Sequence, residues 1–124
     1  MKPKISSAEW EVMNVVWAHH PVTAPEVFAA LPAGNAWAQK TVNTFLARLV
    51  GKGVLKATKE GNVNVYTPLL RREQCVAQAS RHFLQRVFQG AAGPLLVHFC
   101  EQAQLNREEI QALQDLLRKK KGRD

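Results

Sequence analysis

The sequence predicts a mostly α-helical chain carrying one small β-hairpin, and three observations predict it. Two capping boxes, Ser6-x-x-Glu9 and Thr23-x-x-Glu26, open helical runs near the N-terminus. Two β-prone runs flank a Gly61-Asn62 turn. Beyond residue 70, apolar residues recur at helical spacing almost to the end.

The first helix follows Ser6 and carries Trp10, Met13, Val16 and Trp17 on one face. It should stop near His19-His20-Pro21, because a residue before proline avoids the α region. The second helix is short, tolerates Pro25 in its first turn, carries Val27, Phe28 and Leu31, and ends by Pro32. Ala33-Gly34-Asn35 reads as a turn. A third helix runs over about 38–50, with Gly51 and Gly53 available for a left-handed cap. The hairpin strands are expected over 54–59 and 63–67, with Pro68 closing the second. A long helix over about 71–89 carries Val76, Ala79, Phe83 and Val87. Gly90-Ala91-Ala92-Gly93-Pro94 should break it, before a shorter helix with Leu95, Leu96 and Phe99. Asn106 caps the last helix, which carries Ile110, Leu113, Leu116 and Leu117 and ends in a cationic turn.

Composition narrows the class of function. The chain has 124 residues and is 46% hydrophobic, enough to build a core rather than remain disordered. No apolar run approaches the roughly 20 residues that span a bilayer. Met1-Lys2-Pro3-Lys4-Ile5 lacks the apolar region of a signal peptide, so a cytoplasmic protein is expected. Cys75 and Cys100 read as two buried small hydrophobes, and the four histidines do not fall into metal-ligand spacing with them. No paired carboxylates, nucleophile elbow, P-loop or metal motif points to an enzyme or to a bound cofactor.

The formal net charge is +7, which suggests an anionic partner. In the first half of the chain the cations gather in one stretch. Residues 36–70 hold Lys40, Arg48, Lys52, Lys56 and Lys59 against Glu60 alone. Three helices and then a hairpin, over about 65 residues, is the outline of a winged helix-turn-helix, in which the helix after the turn enters the DNA major groove. On a helical wheel, Val42, Phe45, Leu46 and Leu49 form a core-facing stripe. Lys40, Asn43, Thr44 and Ala47 lie opposite, with Thr41 and Arg48 on a flank. This outward face has no carboxylate and carries groups suited to base edges and phosphates. Lys56, Lys59 and Asn62 are placed to touch phosphates from the wing, or to protect an edge strand. The three tryptophans read as packing residues.

The domains expected are a winged-helix DNA-binding domain over 1–69 and a helical dimerisation domain over 70–124. The second domain's apolar stripes need burial, and a second copy supplies it. Phe83, Val87, Phe99, Ile110, Leu113, Leu116 and Leu117 are the expected interface residues. Such a homodimer reads double-stranded palindromes with half-sites about one helical turn apart, or multiples of that.

The chain resembles the penicillinase-repressor (BlaI/MecI/CopY) family from Ile5 to about Leu117. The stretches that carry the resemblance are Ala8-Glu9-Trp10-Glu11-Val12-Met13 with Trp17, Trp37 with Lys40-Thr41-Val42, Arg48-Leu49, and Lys52-Gly53. Leu95-Leu96-Val97-His98-Phe99, Asn106-x-x-Glu109-Ile110 and Leu113 also match. The resemblance implies a dimeric repressor, an operator of inverted TACA/TGTA type and antibiotic-resistance genes as its setting. Its β-lactam branch is cut at an Asn-Phe bond by a membrane-bound, β-lactam-sensing zinc peptidase. Here Phe99 matches and His98 stands in place of Asn, which marks His98-Phe99 as the corresponding bond. The copper branch has a C-x-C cluster near its C-terminus, which the tail from Arg118 to Asp124 lacks. Two alternatives stay open: a repressor released by a small ligand, thiol or metal signal, and a winged-helix protein-interaction module.

Overall fold

In a computed structural model, which describes residues 4–32 and 36–122, the chain forms six helices and three short strands among the described residues. The expected turn at Ala33-Gly34-Asn35 lies outside them. Both N-terminal capping boxes form. Ser6 caps helix α1 (Ser7–His19): the Glu9 N–H donates to Ser6 Oγ at 3.2 Å and the Ser6 N–H to Glu9 Oε1 at 2.9 Å. Thr23 and Glu26 repeat the arrangement at α2 (Ala24–Ala30), with Pro25 in the first turn.

The buried face of α1 is Glu9, Val12, Met13 and Val16, rather than the stripe through Trp10 and Trp17. The two tryptophans flank it, half-buried, with ring centroids 5.6 Å apart. Valine and methionine fill the space inside, while the larger indoles stay at its margin, where the Trp17 N–H finds the Leu70 carbonyl. In α2 only Val27 is buried; Phe28 is exposed, and Leu31 falls just past the helix end.

Helix α3 spans Gln39–Gly51 and ends in a Schellman motif. The Val54 N–H donates to the Leu49 carbonyl and the Gly53 N–H to the Val50 carbonyl, both at 3.0 Å. Gly53 takes φ +80 there, so it supplies the left-handed residue while Gly51 stays in the last helical turn. Leu49 and Val54, which the motif brings together, are both buried.

Strands β2 (Leu55–Glu60) and β3 (Val63–Pro68) pair antiparallel from Leu55↔Pro68 to Glu60↔Val63. Their two-residue loop places Gly61 at φ +64 in its first position, where a type II′ hairpin turn calls for glycine. A strand the sequence reading did not anticipate, β1 (Val22–Thr23), pairs with β3 and sets the order β1-β3-β2. Two residues are too few to show a period, and only the pairing of Val22 with Tyr66 defines them.

Val12, Met13, Val16, Val22, Val27, Val42, Leu46, Leu49, Val54, Leu55 and Tyr66 make one buried cluster. Helix α4 (Arg72–Phe88) follows, then α5 (Ala92–Gln102) and α6 (Arg107–Lys121). The break before α5 is shorter than expected. It occupies residues 89–91, and Gly93 and Pro94 lie in the first turn of α5, where proline's missing N–H costs little. Asn106 and Glu109 complete a third capping box at α6. The chain divides into two compact units, Met1–Arg81 and His82–Asp124, with α4 running from one into the other.

Glu9 has a further partner. Its carboxylate is buried and accepts from Lys52 Nζ at 2.5 Å, and the same ammonium donates to the Lys4 carbonyl at 2.8 Å. Burial alone pushes this carboxyl up; the Lys52 bond and the Ser6 N–H outweigh it, and the net shift is downward. The folded chain therefore holds the ionised form more tightly than the unfolded chain does. This stabilisation is present at neutral pH and is lost as the pH falls through the depressed pKa. Lys52→Ala should cost about 1–3 kcal/mol, less than a fully buried pair because the lysine is partly wet. Glu9→Gln should melt less steeply with acid than wild type between pH 7 and pH 3. Parallel acid curves would remove the pair from the stability of the fold.

Candidate nucleic-acid interface

Helix α3 divides as its wheel predicts. Val42, Leu46 and Leu49 are fully buried, whereas Lys40, Asn43, Thr44, Ala47 and Arg48 are exposed. Thr41 is half-buried on the flank. Phe45 is also only half-buried; it meets Trp37 edge-on, with centroids 4.9 Å apart. The Arg48 guanidinium lies 5.9 Å from the Phe45 centroid, within cation–π range. Phe45 thus offers the exposed Arg48 a ring face beside the helix's outward side.

Local hydrogen bonds set what the exposed polar groups can offer. Gln39 Nε2 donates to Asn43 Oδ1 at 3.2 Å, which takes one of the oxygen's two lone pairs and orients the amide. Bidentate reading of an adenine needs the Asn amide donor and an acceptor lone pair, and one of each is left for it. Thr44 Oγ1 donates back to the Lys40 carbonyl at 3.1 Å, leaving its lone pairs and methyl for a partner.

The structure separates the basic residues that the sequence groups together. Lys52 is committed to Glu9 and leaves the cationic surface. Lys56 and Lys59 are both exposed on β2, but an odd spacing puts them on opposite faces of the hairpin. Lys59 shares its face with its partner Asn64 and with the inward-facing Tyr66; Lys56 shares the other with Thr67. Asn62 is exposed in the turn. Asn64 was not singled out by the sequence reading, since only the register shows it beside Lys59. The Glu9–Lys52 pair was equally hidden, because nothing local links residues 43 apart.

In the second unit, Phe83, Val87, Phe99, Ile110, Leu116 and Leu117 are all exposed in the single chain, Phe99 at 49% and Leu117 at 54%. Leu113 is half-buried. It lines an open apolar groove with Cys100, Ala103, Leu105, Ile110 and Leu117. The expectation of two buried cysteines fails for one of them. Cys75 is buried, which pushes its thiol up, but Cys100 is exposed on α5 at the open groove. The His98-Phe99 bond lies within α5. Among the described residues no cluster of His, Cys, Asp and Glu could hold a metal ion, and no helix is long and apolar enough to cross a membrane.

Three helices and a three-stranded antiparallel sheet, with the helix before the hairpin exposing a polar and basic face, define a winged helix. The penicillinase repressor family model matches residues 5–119, and the chain belongs to that family. It is 40% identical over 121 residues to the penicillinase repressor of Bacillus licheniformis, covering 98% of this chain and 94% of that one. It is 32% identical over 117 residues to the methicillin resistance regulatory protein MecI of Staphylococcus aureus (strain N315), covering 94% and 95%. The solution structure of the DNA-binding domain of the repressor BlaI matches with a TM-score of 0.52 at 44% identity, over 58% of this chain and 88% of that one. Monomeric Bacillus licheniformis BlaI, in complex with the blaP half-operator, matches with a TM-score of 0.51 at 44% identity, over 59% and 89%.

Proposed function

We propose that this protein is a transcriptional repressor that binds palindromic operator DNA as a homodimer. The observation that carries the reading is the outward face of α3. It is exposed, free of carboxylates, and held by its own buried stripe in a chain that is 44% identical, over 59% of its length, to a monomeric BlaI form solved on a half-operator. Lys40, Thr41, Asn43, Thr44, Ala47 and Arg48 are assigned to the groove, and Lys56, Lys59 and Asn62 to flanking phosphates. Homodimerisation is supported by Phe83, Val87, Phe99, Ile110, Leu116 and Leu117, whose exposure in a single chain leaves apolar area for a second copy to cover.

The test is a titration of the full chain with a duplex of inverted TACA/TGTA half-sites and with random duplex, at several salt concentrations. Asn43→Ala and Thr44→Ala should lose about 1–3 kcal/mol on the palindrome and much less on random DNA. Lys56→Ala and Lys59→Ala should weaken both duplexes and make the salt dependence shallower. A fragment of residues 1–81 should be monomeric and bind the palindrome about 10²–10⁴-fold more weakly, the avidity that joining two half-site binders supplies. Equal affinity of the full chain for both duplexes would favour a protein-interaction module instead.

For release, we propose cutting of the His98-Phe99 bond by a membrane-bound, β-lactam-sensing zinc peptidase. Phe99 is half-exposed on α5, and the cut would separate α6, with Ile110, Leu113, Leu116 and Leu117, from the winged helix. A helical bond must open locally before a protease can take it, so α5 has to unfold transiently. Mass spectrometry of the repressor from cells treated with a β-lactam should show fragments 1–98 and 99–124. An intact chain that still leaves its operator would point to a ligand, metal or thiol signal.

A further inference from the structure

Residues 69–71 join β3 to α4, and each is tied down. The Leu69 N–H donates to the Val54 carbonyl at 2.8 Å. The Trp17 indole N–H donates to the Leu70 carbonyl at 3.0 Å, across 53 residues of sequence. The Arg71 N–H donates to Gln74 Oε1 at 2.8 Å, closing the start of α4. Leu70 itself packs on the core cluster, and Cys75, in the first turn of α4, is buried.

A three-residue connector held only by its ends would pivot, since each free residue keeps two soft dihedrals. Here Leu69 and Leu70 are bonded to the winged helix, and Arg71 is bonded into the first turn of α4. Trp17 reaches the connector from α1 by a hydrogen bond, and it does so from a supported base: Trp10 lies against its ring, and the buried Val16 beside it anchors α1 in the core. The helix that leaves this root, α4, runs from the first compact unit into the second. It is the chain's only covalent path between them.

We propose that Trp17 is a positioning residue for operator spacing. Its bond to the Leu70 carbonyl holds the root of α4 on the winged helix, and this restraint limits the half-site spacings that a dimer accepts. The inference rests on the repressor reading above. A loose root would let each winged helix find its half-site independently. The dimer would then tolerate half-sites at wrong spacings, while each half-site contact stayed the same.

The test measures the full chain on duplexes carrying two inverted TACA/TGTA half-sites, with one base pair inserted or removed between them, and on a single half-site duplex. One base pair shifts the half-sites by about 3.4 Å and turns them by about 35°. Wild type should bind the respaced duplexes at least about tenfold more weakly than the parent palindrome, because avidity depends on both sites being reached together. Trp17→Phe keeps a ring against Trp10 and loses the donor. It should narrow that penalty to about threefold or less, with single half-site affinity unchanged. Insertion of two glycines between Leu70 and Arg71, which leaves Trp17 in place, should narrow it equally, and it decides the matter if Trp17→Phe fails to fold. Spacing penalties equal to wild type in the folded variants would overturn the proposal. So would a parallel loss of half-site affinity in Trp17→Phe, which would make the residue a stabiliser of the winged helix alone. If wild type itself prefers no palindrome over random duplex, the repressor reading fails and this one falls with it.

Discussion

The fold turns on the two-sidedness of α3. One helix must bury Val42, Leu46 and Leu49 and at the same time keep Lys40, Asn43, Thr44 and Arg48 in solvent. Each buried leucine or valine is worth about 1.5–3 kcal/mol relative to exposure, so the stripe fixes the helix's rotation about its axis. A rotation of one residue, about 100°, would carry a leucine into water and a polar side chain into the core. The polar face is therefore aimed by the apolar one. The neighbouring elements serve the same constraint: α1 supplies Val12, Met13 and Val16, and the hairpin supplies Leu55 and Tyr66.

Both ends of α1 are tied to distant parts of the chain by polar bonds. At its start, Glu9 caps the helix and receives Lys52 from just beyond the end of α3. Near its end, Trp17 holds the Leu70 carbonyl. These bonds add direction to a core that is otherwise apolar and tolerant of small shifts, because a hydrogen bond to a charged or buried group has a narrow geometry. The Schellman turn after α3 does similar work within the backbone, placing Val54 under Leu49 and setting the angle at which β2 departs.

The two compact units differ in how far they satisfy themselves. The first encloses a cluster of fully buried residues. In the second, the large side chains of α5 and α6 remain partly or largely exposed, and Leu113, one of the half-buried ones, only lines a groove. Apolar area of this kind left open on a single chain is what an association surface presents. The exposed Cys100 lies in the same groove, which explains why its apolar surroundings did not bury it.

The sequence by itself determined the helices, the hairpin and the two faces of α3. Capping boxes at Ser6, Thr23 and Asn106, the Gly61-Asn62 turn, Pro21 and Gly53, and the stripe of α3 are all local signals, written in residues a few positions apart. They carry through because capping, turn and helical-face preferences act over one or two turns of chain. What only the tertiary structure decided were relations between residues far apart. It paired Val22 with Tyr66 to make a strand too short for any period, and placed Asn64 beside Lys59 on the face opposite Lys56. It turned α1 so that Val12, not Trp10, is buried, and withdrew Lys52 from the basic surface to neutralise Glu9. It also gave the Leu70 carbonyl to Trp17. No propensity encodes such pairings. They exist because burying one apolar cluster brings particular polar groups within reach, and a buried donor or acceptor must then take the partner that the packing has placed beside it.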